Sequence, residues 1–579
     1  MTIYKKLPTT SWKLKTENYK EIESAFSREF GISPLISQIL VNRDFLDMES
    51  ARRYLYPSLN DLHSPLLLKD MKKAIARVLQ AISNKEKIVI YGDYDADGIT
   101  SVVILYKFLK ELTSDISYYI PDRVQEGYGL KKTVIENFKA KGISLIITVD
   151  CGISDVEQID YARHLGIDSI VLDHHEISGP LPRATAVINP NREDCHFPFK
   201  NLAGVGIAFN FLIALRGALR KEGFWKNGFY PNLKEYLDIV ALGTIGDIAP
   251  LIDENRIFAR IGLEIITEGK RPGIKALKEV SGIDGQVVDS FKASFCLIPR
   301  INAAGRIASS LDAVQLLLTE NMDEARSLAA KLDEYNRRRQ AIEKNILNEI
   351  LEKIGKTPDW EKLNALVFAS DRWHPGVVGI VASRLVDLFS RPAFVISLNN
   401  GIGKGSGRSI SEFNIHHGLQ QCASLLLSYG GHYRAAGISI KEDDIDEFSG
   451  LLNEIIKNSV ETREIVSQTL IDSECQLSDV NLNLISEMDM LAPFGCENPE
   501  PVLCTRNIKV LSPSIVGNNH LKMKLTSQGI SRDSIWFSMG EYLPAISGAK
   551  LDVVFTPQIN YWNGASDIQL KMKDVTLLS

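Results

Sequence analysis

Three short apolar runs constrain this chain more than any other feature. KIVIY (from Lys87), LIITV (from Leu145) and SIVL (from Ser169) are rich in β-branched residues and almost free of polar ones. Segments with helical spacing of apolar residues separate them: TSVVILYKFLKEL, KTVIENFKAKG and VEQIDYARHLG. A strand that is apolar on both faces has to be covered on both, and a helical crossover returns the chain in parallel. The pattern predicts an α/β unit over roughly residues 85–255, with a parallel sheet between helices, closing on the helix LKEYLDIVALGTIGD.

Each of these runs ends in acid. KIVIY leads into Asp93, Asp95 and Asp97, LIITV into Asp150, and SIVL into Asp173, His174 and His175; Asp247 follows the helix LDIVALGTIG. The carboxyl ends of parallel strands line a common crevice, so acids distant in sequence are expected to converge there. Clustered carboxylates repel one another unless a cation neutralises them. Oxygen ligands with one or two imidazoles suit Mn²⁺ or Mg²⁺, and two such ions about 4 Å apart are a common device for phosphodiester hydrolysis. Alone, an Asp after a strand is an ordinary helix cap or turn residue, and a lone D-x-D also serves glycosyltransferases. Acids at so many element ends, with two histidines, favour a metal site. No G-x-x-x-x-G-K-[ST] follows a strand, which argues against ATP hydrolysis as the core activity.

The remainder divides by pattern. Residues 1–84 read as small helices (MESARRYLYPSL, MKKAIARVLQAI), and residues 256–322 as a helical extension of the α/β unit. A helix over 323–355 keeps a stripe through Leu328, Leu332, Tyr335, Ile342 and Ile346, and would span about 45 Å, enough to join two domains. A second α/β unit, residues 364–460, carries ALVFAS, GIVASRLVDLF and AFVISL. Its GKGSGRS segment (Lys404, Ser406, Arg408) reads either as a phosphate cradle built on glycine N–H groups or as a glycine-rich turn. Residues 465–579 alternate apolar and polar residues and contain the hairpin signal YWNGAS, which predicts a small β-barrel. Its Trp536, Phe537, Tyr561 and Trp562, with Lys522, Lys524 and Lys571, could stack on bases or belong to the core. Arg337, Arg338 and Arg339 read as a solvated helix face or a channel lining.

Bulk properties narrow the setting. The 579 residues exceed one core and suggest three or four domains. A net charge of −6 requires any phosphate-binding surface to be local. Seven cysteines without a C-x-x-C pair argue against a disulfide framework or zinc ribbon, and point to reduced cytosolic thiols. The N-terminus has no apolar leader core and no run is long enough to span a bilayer, so a cytoplasmic location is expected.

DYDADG (from Asp93), VDCG (from Val149), DHH (from Asp173) and GTIGDIAPL (from Gly243) together resemble, in order and spacing, the four motifs of the DHH phosphoesterase superfamily. That resemblance implies Asp95, Asp97, Asp150, His174 and Asp247 as ligands of two Mn²⁺ or Mg²⁺ ions. It implies His175 as the group that contacts the scissile phosphate or orients water, Asp173 as support for the histidines, and Asp93 as a supporting or alternative ligand. One departure is Tyr91, where many members have His; tyrosine is a poorer ligand, which implies weaker binding of one metal or its completion by water. WHPGVVGIVASRL (with His374), GKGSGRS and GGHYRAAG (with His432) are similar to the superfamily's DHH-associated domain, which holds the substrate strand. Arg123, Ser406 and Arg408 are then implied contacts of a 5′ phosphate, with Lys404, His374 and His432 as further substrate contacts. PRINAAGR, whose Arg300 and Arg306 are then implied as further substrate contacts, LAPFGCENPEP and a barrel in the place of an OB-fold look like the superfamily's exonuclease branch. That branch implies 5′ to 3′ hydrolysis of single-stranded DNA to 5′ mononucleotides, in recombination and mismatch repair. It further implies a monomer working with a single-strand-binding protein and a RecQ-type helicase. Two rivals remain at this point: an enzyme for pyrophosphate, a cyclic dinucleotide or short RNA, which would need neither barrel nor long helix, and a non-catalytic scaffold, which would not need the acids and both histidines.

Overall fold

A computed structural model describes residues 11–14, 19–225, 228, 230–459, 468–562 and 565–578. The chain divides into two compact units, one of Ser64–Ala249 with Ile261–Arg463, the other of Met1–His63, Pro250–Arg260 and Glu464–Ser579.

In the first unit the three apolar runs are strands of one parallel sheet. Its order is Ile116–Tyr119, Lys87–Gly92, Ile143–Val149, Asp168–Leu172, Ala186–Ile188. The chain leaves Lys87–Gly92, pairs on one side with the next strand, then crosses to the other side. This makes a switch point between Lys87–Gly92 and Ile143–Val149, where the crevice of an open parallel sheet forms. Helices Lys132–Ala140 and Val156–His164 cover one face over Val89, Tyr91, Ile146, Val171 and Val187. Ala96–Lys110, Gly204–Lys221 and Leu237–Gly246 pack together against the other. Gly204–Lys221 is absent from the sequence reading because it is apolar nearly all round and shows no stripe; it is buried accordingly. Helix Met71–Ser83 packs on it and belongs to this unit.

The long helix is Met322–Lys356, capped by the Asn321 side chain, which accepts from the N–H groups of Asp323 and Glu324. Leu332, Ile346, Ile350 and Ile354 are its buried apolar positions after the first turns. It leads to a mixed sheet of order Leu426–Gly431, Ala435–Lys441, Ile402–Arg408, Ala393–Asn399, Leu366–Ser370, in which only the last two strands are parallel.

GKGSGRS is neither a cradle nor a turn. It is the central strand of this sheet, Ile402–Arg408, and its N–H groups lie within ladders on both sides. The glycines alternate with functional side chains at period two. A Cβ at Gly403, Gly405 or Gly407 would meet Ile396, Ile438 or Phe394 at 2.4–2.7 Å, so that face is pressed against core. Lys404, Ser406 and Arg408 take the opposite face.

The second unit contains the barrel. Leu503–Val516, His520–Ser527, Ile530–Trp536, Ala565–Leu577 and Lys550–Trp562 close through pairing of the first with the last. Trp562 pairs with Ala565 across the YWNGAS hairpin, whose turn residues lie outside the described residues. Trp536 is buried and stacked on Tyr542, a core residue; Phe537 is exposed. The side chains of Tyr561 and Trp562 fall outside the described set. Lys571 lies 3.4 Å from Glu500, and Lys522 and Lys524 each 3.9 Å from Asp533. Barrel and N-terminal helices share one core, in which Phe26, Ile36 and Leu40 join Leu503, Leu521 and Phe555. A strand at Ser11–Leu14 pairs with Gln468–Ile471. No described helix is long and apolar enough to cross a membrane.

LAPFGCENPEP is the knot of this unit. Asn498 donates to the carbonyls of Leu491 and Pro493 and accepts from Tyr54 and Arg43. Arg256, 2% exposed, donates to the carbonyls of Tyr54, Leu491 and Met490 at 2.9–3.1 Å. Its guanidinium lies 3.9 Å from the centroid of the Tyr54 ring, and burial lowers its pKa to about 10. Replacing it would take this donor from the Tyr54 and Met490 carbonyls, each at a cost of about 1 kcal/mol or more, while the Leu491 carbonyl keeps Asn498 and Tyr54. Arg256→Met is expected to lower the stability of this unit by roughly 2 kcal/mol, read as a shifted denaturant midpoint of tryptophan fluorescence; an unchanged midpoint would refute the role given to Arg256.

Candidate metal and phosphate site

The acids converge at the switch point. Ligand atoms of Asp93, Asp95 and Asp150 lie within 4.8 Å of one another, as do those of Asp97, His174 and Asp247, and of Asp150, His174 and His175. His174 Nε2 is 3.1 Å from Asp150 Oδ1 and 3.9 Å from Asp97 Oδ2, and its Nδ1 is 3.7 Å from Asp247 Oδ2. Several of these side chains also hold local structure. Asp95 caps helix Ala96–Lys110, accepting from the N–H groups of Asp97 and Gly98. Asp97 accepts from the N–H groups of Gly204 and Val205, at the positive end of the next helix. Asp150 has φ +58°, a left-handed backbone that turns its carboxylate into the cluster at the strand's end.

Burial, with neighbouring acids, raises Asp93, Asp97, Asp150 and Asp247. Asp93 and Asp150 are pushed well above the usual carboxylate range, first by burial and then by neighbouring acids; Asp247 is raised to about 7 by burial, against the pull of His174. Asp93 Oδ1 is buried without any hydrogen-bond partner. A buried, unpartnered carboxylate oxygen beside two further acids and an imidazole is what a divalent cation requires, so the donor set fits the group.

Asp173 behaves differently. Its oxygens accept from the N–H groups of Ile153, His174 and His175 and from His175 Nδ1 at 2.7 Å. Burial alone would raise its pKa, but the His175 contact outweighs that and holds it at about 2. The same bond raises His175 to about 9 against burial. Asn189 and Asn191 donate to the carbonyls of His175 and His174. Tyr128 brings its hydroxyl 3.3 Å from the Asp150 carbonyl and 3.4 Å from His175 Nδ1. His432, from the hairpin of the second sheet, stacks over His175 at 6.3 Å, with Glu176 3.7 Å away.

Beside the acids lies a basic cleft lined by Arg123, Val124, Pro375, Gly376, Val378, Lys404, Gly405 and Ser406. Arg408 donates to Ser406 Oγ at 3.0 Å. Arg306 donates to the Gly376 carbonyl, and the Arg123 guanidinium lies 4.7 Å above the Tyr94 ring. The helix Val378–Phe389 begins here, and Gly379 leaves room for Ser406: a Cβ there would come within 2.9 Å of its Oγ. Burial, then Arg123, lowers Arg408 from its usual value; burial lowers Arg306 to about 9, Arg123 again contributing. Among the described residues no ion pair joins Arg123, Arg306, Lys404 or Arg408 to a carboxylate. Half-buried cations without a counter-ion favour an anionic ligand.

The structure thus gathers Asp93, Asp95, Asp97, Asp150, Asp173, His174, His175 and Asp247 at one centre, and Arg123, Arg306, Lys404, Ser406 and Arg408 at one cleft, with His432 over the former. His374, beside the cleft, accepts from the Gly376 N–H through Nδ1. Arg300 is not brought there: it is paired with Asp333 of the long helix at 2.8 Å and bonded to the Cys296 carbonyl. Of the arginine triplet, Arg337 pairs with Asp333 and Arg339 with Glu343. Tyr91 is no ligand: its ring stacks on Tyr119 within the core, and its hydroxyl donates to the Gly129 carbonyl. Tyr128, Asn189, Asn191 and Gly376 escaped the sequence reading. INPN, which follows one more strand end, was the available signal for the two asparagines.

Residues 87–244 match the DHH family N-terminal domain, 362–458 the DHHA1 domain and 471–574 the RecJ OB domain. The single-stranded-DNA-specific exonuclease RecJ of Bacillus subtilis is 39% identical over 98% of this chain and 71% of its own. That of Escherichia coli is 35% identical over 96% of this chain and 98% of its own. The chain belongs to the RecJ family. The fold agrees: RecJ of Thermus thermophilus in complex with Mn²⁺ superposes with a TM-score of 0.83, at 27% identity, over 98% of this chain and 80% of that one. A second structure of that RecJ is in complex with Mg²⁺. Both are hard divalent cations suited to the oxygen and imidazole donors gathered here.

In metal-free protein the substitution Asp150→Asn, which keeps a residue tolerant of positive φ, relieves buried like-charge repulsion. It is expected to raise the metal-free melting temperature while reducing the increment that Mn²⁺ gives the wild type, about 2.7 kcal/mol at a hundredfold excess over Kd. Calorimetric melts with Mn²⁺ or chelator check this; a wild-type melt indifferent to Mn²⁺ would show that the acids do not hold it.

Proposed function

We propose that the chain is a metal-dependent exonuclease that degrades single-stranded DNA from its 5′ end and releases 5′ mononucleotides. The observation that carries this is a basic cleft without counter-ions directly beside a buried acidic centre, in one compact unit. A 5′ phosphate docks on Arg123, Lys404, Ser406 and Arg408, the arginines supplying charge-assisted hydrogen bonds. Phosphate contact positions the strand without reading a base, so sequence preference is weak. Asp95, Asp97, Asp150, His174 and Asp247 hold the cations, with Asp93 offering its unpartnered oxygen. Divalent cations there supply Lewis-acid polarisation of the scissile phosphate and a water acidic enough to attack at neutral pH. Asp173 fixes His175 through Nδ1, which leaves Nε2 for a non-bridging phosphate oxygen. His432 closes over His175 and restricts access to a single strand.

RecJ proteins of the family are named for single-stranded DNA, and two of the Thermus structures carry Mn²⁺ or Mg²⁺. On that relationship we extend the reading to a cytoplasmic, monomeric enzyme of recombination and repair, working with a single-strand-binding protein and a RecQ-type helicase. The deciding experiment follows a 3′-labelled single-stranded oligonucleotide with free or blocked 5′ end, in Mn²⁺ or chelator. Progressive shortening only with metal and an accessible 5′ end is expected; cleavage of dinucleotides alone would transfer the chain to the small-substrate phosphodiesterases. Arg408→Ala, which removes charge-assisted bonds of about 1.5–3 kcal/mol, is expected to raise KM for 5′-phosphorylated strands about tenfold to a hundredfold. An unchanged KM would remove Arg408 from the phosphate site.

A further inference from the structure

The acidic centre and the basic cleft are joined by one short piece of backbone. Helix Ile298–Ile307, from PRINAAGR, lies between the acidic loop 93–97 and the cleft segment 374–378. On one side, the Asn302 side chain accepts from the N–H of Ala96, the residue between Asp95 and Asp97, at 2.8 Å. Next to it, Gly305 is pressed on Tyr94, where a Cβ would lie 2.4 Å from the carbonyl oxygen, and Ser310 Oγ donates to that same carbonyl. On the other side, Gly376 is pressed on Arg306, where a Cβ would lie 2.3 Å from the carbonyl oxygen. Arg306 Nη1 in turn donates to the Gly376 carbonyl at 3.3 Å. Residues 305 and 306 therefore touch the two subsites at closest backbone approach, one on each side.

We propose that this helix is the spacer that sets the cleavage register. Resting on the reading above, in which the 5′ phosphate docks in the cleft and the next phosphodiester is cut at the acids, the distance between those two phosphates has to match the distance between the subsites. Asn302, Gly305, Arg306 and Gly376 fix that distance through close backbone approaches at Gly305 and Gly376, held by the side-chain hydrogen bonds of Asn302 and Arg306. They are positioning residues. A docked 5′ phosphate accelerates cleavage only while the spacing holds, because a terminus anchored at the wrong distance drags the scissile phosphate away from the centre.

Gly376→Ala tests this directly. Opening the contact from 2.3 Å to an ordinary 3.4 Å displaces the cleft segment from the helix by about 1.1 Å, and a misplacement of that size costs on the order of a hundredfold in rate. Asn302→Ala releases the opposite side without introducing any clash. Initial rates are measured in Mn²⁺ on 3′-labelled strands bearing a 5′ phosphate or a 5′ hydroxyl, and Mn²⁺-induced melting shifts report that the fold and the acidic centre persist. Wild type is expected to favour the phosphate. In both variants the phosphate-to-hydroxyl rate ratio is expected to fall at least tenfold, because the anchored strand is held out of register whereas the unanchored one can adjust. A general structural defect would slow both strands together and leave the ratio alone. If both variants retain the wild-type ratio, the spacer role is overturned while the exonuclease reading stands. If the wild type itself shows no phosphate preference, the docking reading fails and the spacer with it. Should Gly376→Ala not fold, the ratio for Asn302→Ala decides.

Discussion

Carboxylates crowded at the ends of parallel strands are the constraint around which the first unit is organised. Four separate chain segments deliver acids to one buried centre, where burial and then neighbouring acids raise the pKa of Asp93 and Asp150. Several structural devices keep the cluster assembled. Asp95 caps a helix, Asp97 takes two N–H groups from the start of another, and Asp173 gathers three N–H groups and an imidazole. Backbone donors and helix ends offset part of the repulsion, while Asp93 Oδ1 has no hydrogen-bond partner among the described residues. The remaining deficit is what gives the centre its affinity for divalent cations: the fold is stable enough to hold the acids together, and their charge is left for an ion to complete.

The same economy of backbone recurs at the basic cleft. A cation site needs its charges fixed and partly dehydrated, and a central β-strand does that better than a loop. In GKGSGRS the glycines let core side chains press against one face of the strand, while Lys404, Ser406 and Arg408 rise from the other. Gly379 clears the way for Ser406 on the neighbouring helix. These basic and hydroxyl side chains therefore stand on rigid scaffold, at the cost of a composition that resembles a loop.

That composition explains where the sequence was legible and where it was not. The parallel strands, their terminal acids and the barrel declare themselves because their periodicities are those of burial: unbroken apolar runs for a sheet covered twice, alternation for one covered once. In GKGSGRS the alternation is also present, but glycine masks it, since glycine at every second position reads as a turn unless the residues between are compared. Arg300 and Arg306, both in one motif, were indistinguishable in sequence; only the placement of Asp333 on the long helix takes Arg300 away from the cleft. Tyr91 follows from the sheet's pleat: successive residues of a strand face opposite sides, and its side chain falls on the face covered by Lys132–Ala140 and Val156–His164, among Val89, Phe138 and Ile146. Tyr128, Asn189 and Asn191 act through their contacts with backbone carbonyls of the histidine and aspartate loops, a relation that residue type alone does not announce.

The adjacency of the two charged sites also orders what each contributes. In the proposed reading the cleft attracts a terminal phosphate at any time, since among the described residues no ion pair joins its cations to a carboxylate. On the same reading the acidic centre, without cations, repels the next phosphate of that strand, as like charges do at close range. Cations would reverse the sign of that field, so that the two sites would attract consecutive phosphates of one strand only with metal bound. Binding of the strand in register and its hydrolysis then depend on the same ions, and a strand anchored on the cleft alone is held but not cut.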